Sequence, residues 1–578
     1  MFTDKQNVLQ LIALLKAHGI TQVVLCPGSR DIPIVQGLSQ CQEFKCYALT
    51  DERSAGFFAL GVILKTRQPC AVVVTSGSAL LNLHPAACEA FYQQLPLLII
   101  SADRAAAWIG QMDGQTMVQE KVLSSVCKYS GTLNEVKDDI DLWHCNRSCN
   151  EALLTLKREP FAPVHLNVPI SDPFFHCPVK ELPQARVIRE LSLPELCALA
   201  HKTARTLLVI GQNSLGPKLD ARLLHQLCRR YTVYAEHLAR PALEDTELIL
   251  HSGDLLFDQA YLKEHSLDKK LAPDLVITLG GHIISKKLKI FLRGLECRHV
   301  HVSPDGACAD LFRHLSAVCQ ASFMDTLQAL AEWQPGGNDS QSSEERTPYF
   351  NAAQSLPAAA YWNKRLRTDP NSLAHELEQR SVPLSQLEAV GALLCSLKNC
   401  TVHLANSSTV RYAEYFALDK SVEAYANRGV NGIEGSLSCA VGAACAAPGI
   451  NYMLVGDLSF FYDMNALWQQ NTLKGLRIML FNNQGGGIFA ALPGLKLDAR
   501  AQSFVCAPHQ TSALPWARER GFNCFKAADR QSFYQALADF TTPGDDNRLL
   551  EVNTNTEDDK AAAQVIKALL LSPEADLA

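Results

Sequence analysis

Two stretches, Tyr452-Met453-Leu454-Val455-Gly456-Asp457-Leu458-Ser459 and Ile478-Met479-Leu480-Phe481-Asn482-Asn483-Gln484-Gly485-Gly486-Gly487, decide how this 578-residue chain folds. Residues 452–455 and 478–481 are apolar runs of strand length, each ending in polar residues and glycine. A helix-like pattern over residues 463–471 lies between them. That interval suffices for one right-handed crossover, so the two strands are expected to be parallel and close neighbours. The carboxyl ends of the strands then bring Asp457 and an Asn side chain together at the edge where α/β sheets bind ligands.

Those residue types have a definite chemistry. Asp457 offers a carboxylate oxygen and Asn483 an amide oxygen, both hard donors suited to Mg²⁺ or Ca²⁺. Two side chains do not complete a coordination shell, so the metal takes further oxygens from a phosphate or from water. The glycines after the Asn pair allow backbone groups to approach a diphosphate closely. The expectation is a metal-bridged diphosphate. The plainer alternative is that Gly-Asp caps a helix and the glycines make an ordinary turn.

Outward from these stretches the same alternation recurs. The third α/β unit starts near Leu387, and residues 401–404 supply another of its strands. Residues 333–342 (WQPGGNDSQS) are the clearest linker, followed by a helical connector. Before it, strands are expected at 206–210, 232–234, 275–279 and 299–302. Gly211 to Gly216 lacks the GxGxxG spacing and reads as ordinary turn glycines. The first third places helices at 8–17, 55–64 and 80–92 and strands at 23–26, 71–74 and 97–100; Gly19 stands where the first helix would be capped. Around 173–183 the periodicity loosens. Short apolar strands separated by helices mean parallel sheets covered on both faces, so the fold class is α/β with three doubly wound parallel-sheet domains. The divisions are 1–180, 181–345, a helical connector at 346–385, and 386–578.

Composition agrees with this and excludes other classes. At roughly 150 residues per domain, with larger domains common, the length allows two to four. Apolar residues make up 47% and charged residues 19%, which excludes a disordered chain. Fifty-three basic and 59 acidic residues leave a net charge of −6, with no electrostatic case for nucleic acid. No apolar stretch nears the roughly 20 residues of a membrane span. The 20 cysteines are scattered without a CxxC pair, and the first residues lack the layout of a signal peptide. Buried thiols in a reducing, cytoplasmic setting are expected, with neither disulfides nor a zinc site.

The Gly456-Asp457 and Asn482-Asn483 pairs at crossover spacing resemble the signature of thiamine diphosphate enzymes. Such enzymes also need a glutamate against the pyrimidine ring of the cofactor. Asp51-Glu52-Arg53-Ser54-Ala55-Gly56 contains one, although Glu52 read alone is equally a first-turn helix glutamate favoured by the dipole. Five segments narrow the resemblance: 26–30 (CPGSR), 51–61 (DERSAGFFALG), 101–104 (SADR), 427–435 (NRGVNGIEG), and 456–457 with 482–489. Over nearly its whole length the chain resembles the MenD family. That family makes 2-succinyl-5-enolpyruvyl-6-hydroxy-3-cyclohexene-1-carboxylate in menaquinone biosynthesis.

The resemblance implies a fold, an activity and a site. Residues 1–180 become the pyrimidine-binding domain, 181–345 the central domain and 386–578 the diphosphate-binding domain. The cofactors are thiamine diphosphate and Mg²⁺, with Mn²⁺ as an alternative. Glu52 favours the imino tautomer that deprotonates the thiazolium carbon, and Ile433 wedges the cofactor into a bent shape. Without the resemblance, Ile433 would pass as core. The activated cofactor decarboxylates 2-oxoglutarate and adds the four-carbon remnant in a 1,4 sense to isochorismate. The diphosphate and metal positions correspond to Gly456, Asp457, Ser459, Asn483, Gly485, Gly487, Ile488 and Phe489, with Asp457, Asn483 and Gly485 on the metal. Two dianionic substrates call for cations, which map to Arg30, Arg104, Arg411, Arg428, Lys286 and Lys287. Ser29, Gln115 and Ser407 match polar lining positions. Each of these charges could instead be a solvated surface group, and Lys286-Lys287 is a common surface pair.

Three positions depart from the family pattern: Asp31, Gly114 and Lys287 stand where many relatives have Ser or Asn, Asn, and Arg. They bear on substrate contacts and leave the cofactor site intact. A homodimer or homotetramer with active sites between subunits is implied. Two other readings stay open on the sequence: a thiamine enzyme of the acetolactate synthase type acting on pyruvate, and a nucleotide-sensing protein with a retired site.

Overall fold

A computed structural model describes residues 1–172, 175–239, 249–264, 266–334, 349–350, 357–369, 371–469, 471–492 and 494–572. From position 335 onward the expected linker lies outside the described residues. The chain divides into two compact units. One holds Met1–Ser192 with Pro304–Gln320, and the other Leu193–Ser303 with Ala321–Ala578.

In the first unit, β1 (Gln22–Cys26), β2 (Lys45–Ala48), β3 (Cys70–Val74), β4 (Leu97–Asp103), β5 (Tyr129–Thr132) and β6 (Val164–Pro169) form one parallel sheet in the order β2-β1-β3-β4-β6-β5. Alternate residues of a strand enter two different cores. Val23, Leu25, Val73 and Ile100 pack into one, and Val24, Cys26, Val72 and Ile99 into the other. Burial on both faces is why these strands read as unbroken apolar runs. The unit also holds the parallel pair of β7 (Arg189–Leu191) with β13 (Leu315–Gln320).

The second unit contains the remaining two sheets. β8 (Thr206–Ile210), β9 (Thr232–Ala235), β10 (Ile249–Leu250), β11 (Leu275–Leu279) and β12 (Arg298–Ser303) run parallel in the order β10-β9-β8-β11-β12. β14 (Thr401–Leu404), β15 (Glu423–Tyr425), β16 (Asn451–Gly456), β17 (Leu476–Asn482), β18 (Asn523–Ala527) and β19 (Arg548–Asn553) run parallel in the order β15-β14-β16-β17-β19-β18. Val402, Leu454 and Phe481 face one core, and Met453, Val455 and Ile478 the other. The α/β class with three parallel sheets is therefore what the alternation implied.

Two expectations need correcting. The helix placed at 463–471 instead starts at the strand end, as Asp457–Asp463, and closes in a 3₁₀ turn at Met464–Leu467. Its apolar residues, Phe460 and Leu467 among them, pack directly against the sheet, which leaves no room for a loop first. The single helix read over 80–92 is two, Ser78–Asn82 and His84–Tyr92. Pro85 in the first turn of the second helix cannot donate to a continuous ladder. At residues 6–17, by contrast, the helix ends at His18 with Gly19 at φ 71°, as its cap position required.

Twelve of the 20 cysteines are buried, and burial pushes thiols such as Cys70, Cys127 and Cys228 up to about 12. That suppresses thiolate formation at these positions. Among the described residues, no helix is long and apolar enough to cross a membrane.

Candidate active site

The register of β16 and β17 sets Gly456 opposite Phe481, so both strands end at the same level. Asp457 follows the first and Asn483 the second. Asp457 is 3% exposed, and burial raises its carboxyl above the usual range. Its Oδ1 accepts the Leu458 N–H (2.6 Å) and its Oδ2 reaches across to accept the Gly485 N–H (3.0 Å). Gly456, not Asp457, is the N-cap, and no side chain caps this helix. The carboxylate therefore joins two loops rather than finishing one.

Gly485, after Asn483, is required by space. Gly485 lies at φ 152°, and a Cβ there would stand 2.7 Å from the Cys506 carbonyl oxygen. A Cβ on Gly487 would stand 2.4 Å from Asn483 Nδ2. Gly487 opens the 3₁₀ turn Gly487–Ala491, on which Ile488 and Phe489 are half-buried. Cavities of about 1000 Å³ beside Gly485, Gly486 and Phe489, and about 210 Å³ beside Asn483, Gly487 and Ser408, flank this turn. A groove of about 750 Å³ is lined by Thr401, His403 and Leu404 of β14, Glu423 and Tyr425 of β15 and Asn451 of β16.

Of the Asn pair, Asn482 is structural. It is buried and donates to Thr511 O (2.9 Å) and Glu551 Oε1 (3.2 Å). Asn483 aims its Nδ2 at Asp559 Oδ2 (3.5 Å), so its amide oxygen points away from that carboxylate. The donor set suits a hard divalent cation: a buried carboxylate, an amide oxygen and backbone at Gly485. Among the described residues no group of three or more His, Cys, Asp or Glu could hold a metal. Ser459 gives its hydroxyl to Ile433 O (2.5 Å), while the Ile433 side chain is 37% exposed. Ile433 is thus not core.

Cations gather at the neighbouring strand ends of this unit. Arg411 sits in the last turn of helix Ser408–Ala413, which follows Ser407 at φ 78°. Its Nε is buried without a partner. Arg428 is 6% exposed and donates to Asn406 Oδ1 (2.8 Å), and burial, then Arg411, lowers its affinity for the proton. Lys286 has its pKa lowered first by Arg411, which places the two charges together. Lys287 instead pairs with Asp258.

The first unit assembles its own group. Arg30, 4% exposed, donates to Ile170 O (2.9 Å) and contacts Asp172 (3.4 Å). Arg104 lies 3.8 Å from the same Asp172 and 3.5 Å from Asp113. Gln115, at φ 55°, packs its backbone against Gly77, where a Cβ would meet it at 3.4 Å. Ser29 is exposed beside Arg30. Glu52 opens helix Glu52–Thr66, yet Asp51 caps it by accepting from the Arg53 and Ser54 N–H groups. Glu52 is left to accept from Asn82 (3.2 Å). Asp31, fully buried, accepts the Gly28 N–H (2.8 Å) through Oδ1 and leaves Oδ2 without a partner; burial pushes it up to about 7.

Several residues of these groups went unread. Asn406 bonds Arg428 and the carbonyls of Asn427 (2.8 Å) and Gly432 (2.6 Å). His509 Nε2 lies 3.2 Å from Asp457 Oδ2. Glu236 accepts from Tyr234 OH and the Ile284 and Ser285 N–H groups, fixing the start of the Lys286 helix. Glu414, buried nearby with Oε2 unpartnered, is pushed well up by burial. Gln119 ties Gly77 N (2.7 Å) to Asn167 (2.8 Å). None lies in a motif with recognisable spacing. Only the polar character of Asn406 beside Ser407 could have drawn attention.

Comparison with known proteins bears on both units. The family model for the thiamine pyrophosphate enzyme N-terminal TPP binding domain matches residues 8–125. Three relatives named 2-succinyl-5-enolpyruvyl-6-hydroxy-3-cyclohexene-1-carboxylate synthase align almost end to end. The protein of Phocaeicola vulgatus is 42% identical over 97% of this chain and 97% of its own length. That of Bacteroides fragilis is 42% identical over 98% and 99%, and that of Bacteroides thetaiotaomicron 40% over 98% and 98%.

Proposed function

The chain belongs to the 2-succinyl-5-enolpyruvyl-6-hydroxy-3-cyclohexene-1-carboxylate synthase family of thiamine pyrophosphate enzymes, and we propose that it decarboxylates 2-oxoglutarate and adds the product to isochorismate in menaquinone biosynthesis. The observation that carries the reading is the Asp457–Gly485 link beside Asn483, in a chain 42% identical along its length to proteins of that name. Thiamine diphosphate, when bound, supplies the carbon nucleophile and the electron sink.

The protein's own residues do the rest. Asp457, the Asn483 amide oxygen and the Gly485 backbone would hold Mg²⁺, or Mn²⁺, and Gly456, Ser459, Gly487, Ile488 and Phe489 would line the diphosphate cradle. The exposed Ile433 side chain is the apolar wedge. Glu52, freed from capping by Asp51, moves a proton at the pyrimidine. Arg411, Arg428 and Lys286 bind substrate carboxylates. Arg30 and Arg104 do the same in the first unit, where the Asp172 carboxylate now contacts both and stands where a substrate carboxylate would. Ser29, Gln115, Ser407 and Lys287 line the pocket.

The division into 1–180, 181–345, 346–385 and 386–578 assigns pyrimidine binding to the first part and diphosphate binding to the last. A homodimer or homotetramer, cytoplasmic, completes the reading. Phe57, Phe58 and Leu64, exposed on the helix that begins at Glu52, support a partner subunit there. The test is the purified chain with thiamine diphosphate, Mg²⁺ and 2-oxoglutarate, with and without isochorismate. Carbon dioxide release from 2-oxoglutarate and adduct formation only with isochorismate are expected. Release from pyruvate but not 2-oxoglutarate overturns the substrate assignment.

A further inference from the structure

An asparagine metal ligand has a problem that an aspartate does not. Its two terminal atoms have nearly the same shape, and only one of them can coordinate a cation. Something must hold the amide in the orientation that offers oxygen. Asn483 meets Asp559 at 3.5 Å through Nδ2, and on the same side Gly487 leaves the space that a Cβ would take from that nitrogen. A carboxylate only accepts, so whatever faces Asp559 must be the NH₂ group.

Asp559 is well placed for this task. It is 6% exposed, in the first turn of helix Thr556–Leu571. Its Oδ1 accepts the Gln386 N–H (2.7 Å), and its Oδ2 accepts the Thr554 hydroxyl (2.9 Å). These bonds come from the end of β19 and the start of helix Gln386–Ser396, so three elements fix the carboxylate. Among the described residues it has no ion-pair partner, and a buried carboxylate without one keeps its place by accepting hydrogen bonds.

We propose that Asp559 is a positioning residue for the metal: it orders the Asn483 amide so that Oδ1 faces the cation at Asp457. The inference rests on the cofactor reading above and deepens it.

The test uses the full chain and reads Mn²⁺ binding by electron paramagnetic resonance in the presence of thiamine diphosphate. Asp559→Asn is isosteric. Its Oδ1 still accepts from Gln386, and its NH₂ can donate to the Thr554 hydroxyl. That NH₂ now faces Asn483 and favours the amide oxygen on its side, so nitrogen is turned toward the metal. A weakening of Mn²⁺ binding by roughly 10–100-fold is expected, the range for outer-shell partners of metal ligands. The decisive variant is the swap Asn483→Asp with Asp559→Asn. A carboxylate at 483 offers oxygen either way round, so the swap should recover most of the affinity lost in Asp559→Asn. A purely structural role for Asp559 would not be rescued by a change at 483. Wild-type affinity in Asp559→Asn, or a swap no better than the single variant, overturns the proposal. Absence of thiamine diphosphate-dependent Mn²⁺ binding in the unaltered protein overturns the cofactor reading itself, and this inference with it.

Discussion

The sheet of β1–β6 and the sheet of β14–β19 have the same strand order. Counted within each sheet, both run 2-1-3-4-6-5, with every pairing parallel. Their carboxyl edges nevertheless have different chemistry. After the first strand comes Arg30 in one and Ser407 with Arg411 in the other. After the second come Glu52 and Arg428, after the third Ser76-Gly77 and Asp457, and after the fourth Arg104 and Asn483. The shared topology supplies edges and crossovers, while the residues placed on those edges supply the chemistry. Under the proposed function, one edge handles protons and the other holds the metal and diphosphate.

The contrast can be broken at each pair. Glu52→Gln should keep fold and cofactor affinity while kcat falls by roughly 10²–10⁴-fold, the range for a positioned proton-transfer group. Wild-type turnover would remove the proton role from the first edge. Asp457→Ala should act on binding instead, raising the Mg²⁺ dissociation constant in the presence of thiamine diphosphate more than roughly 100-fold, past the range for outer-shell residues. An unaltered Mn²⁺ titration would place the metal elsewhere. Arg411→Gln removes a guanidinium whose Nε has no protein partner. At roughly 1.5–3 kcal/mol for a charged hydrogen bond, the KM for 2-oxoglutarate should rise about 10–100-fold with a smaller change in kcat. Equal loss in both parameters would instead indicate a contact made only in the transition state.

A smaller effect is expected at the buried aspartate of the first edge, Asp31. Burial pushes the Asp31 carboxyl up to about 7 in the folded chain, against 3.8 when unperturbed. Between those values the folded state binds more protons at this group than the unfolded one, so Asp31's contribution to stability falls as pH rises through about 4 to 7 and is level above. Asp31→Asn has no such loss. Its thermal stability should match the wild type near pH 4 and exceed it above pH 7, by roughly 1–3 kcal/mol after structural relaxation. A difference that does not change with pH would show that Asp31 is charged throughout.

Several parts of the fold were legible because burial on two faces leaves continuous apolar runs. β8, β11 and β14 were readable to the residue. β6 and β19 escaped because polar residues interrupt them. In β6, His165 meets Ser101 (2.8 Å) and Asn167 donates to Asp103 (2.8 Å). In β19, Glu551 accepts from Ser512 and the Ala513 N–H. Each polar group is satisfied from another strand or loop, and no local pattern announces such a partner. The site divides in the same way. Asp457, Asn483 and Glu52 stand in short motifs, whereas Asn406, Gln119 and Asp559 act through residues distant in the chain.

The two stretches at 452–459 and 478–487 were thus enough, without coordinates, for a parallel α/β edge bearing a carboxylate and an amide. Apolar periodicity and hard-donor chemistry are local properties, written residue by residue. Tertiary structure decided that the Asp457 carboxylate crosses to the Gly485 N–H instead of capping its helix, that Ile433 stays exposed, and that the Asn483 amide turns its nitrogen toward Asp559. Those outcomes depend on which groups from other strands arrive within hydrogen-bonding distance, and that is fixed only when the sheet closes around them.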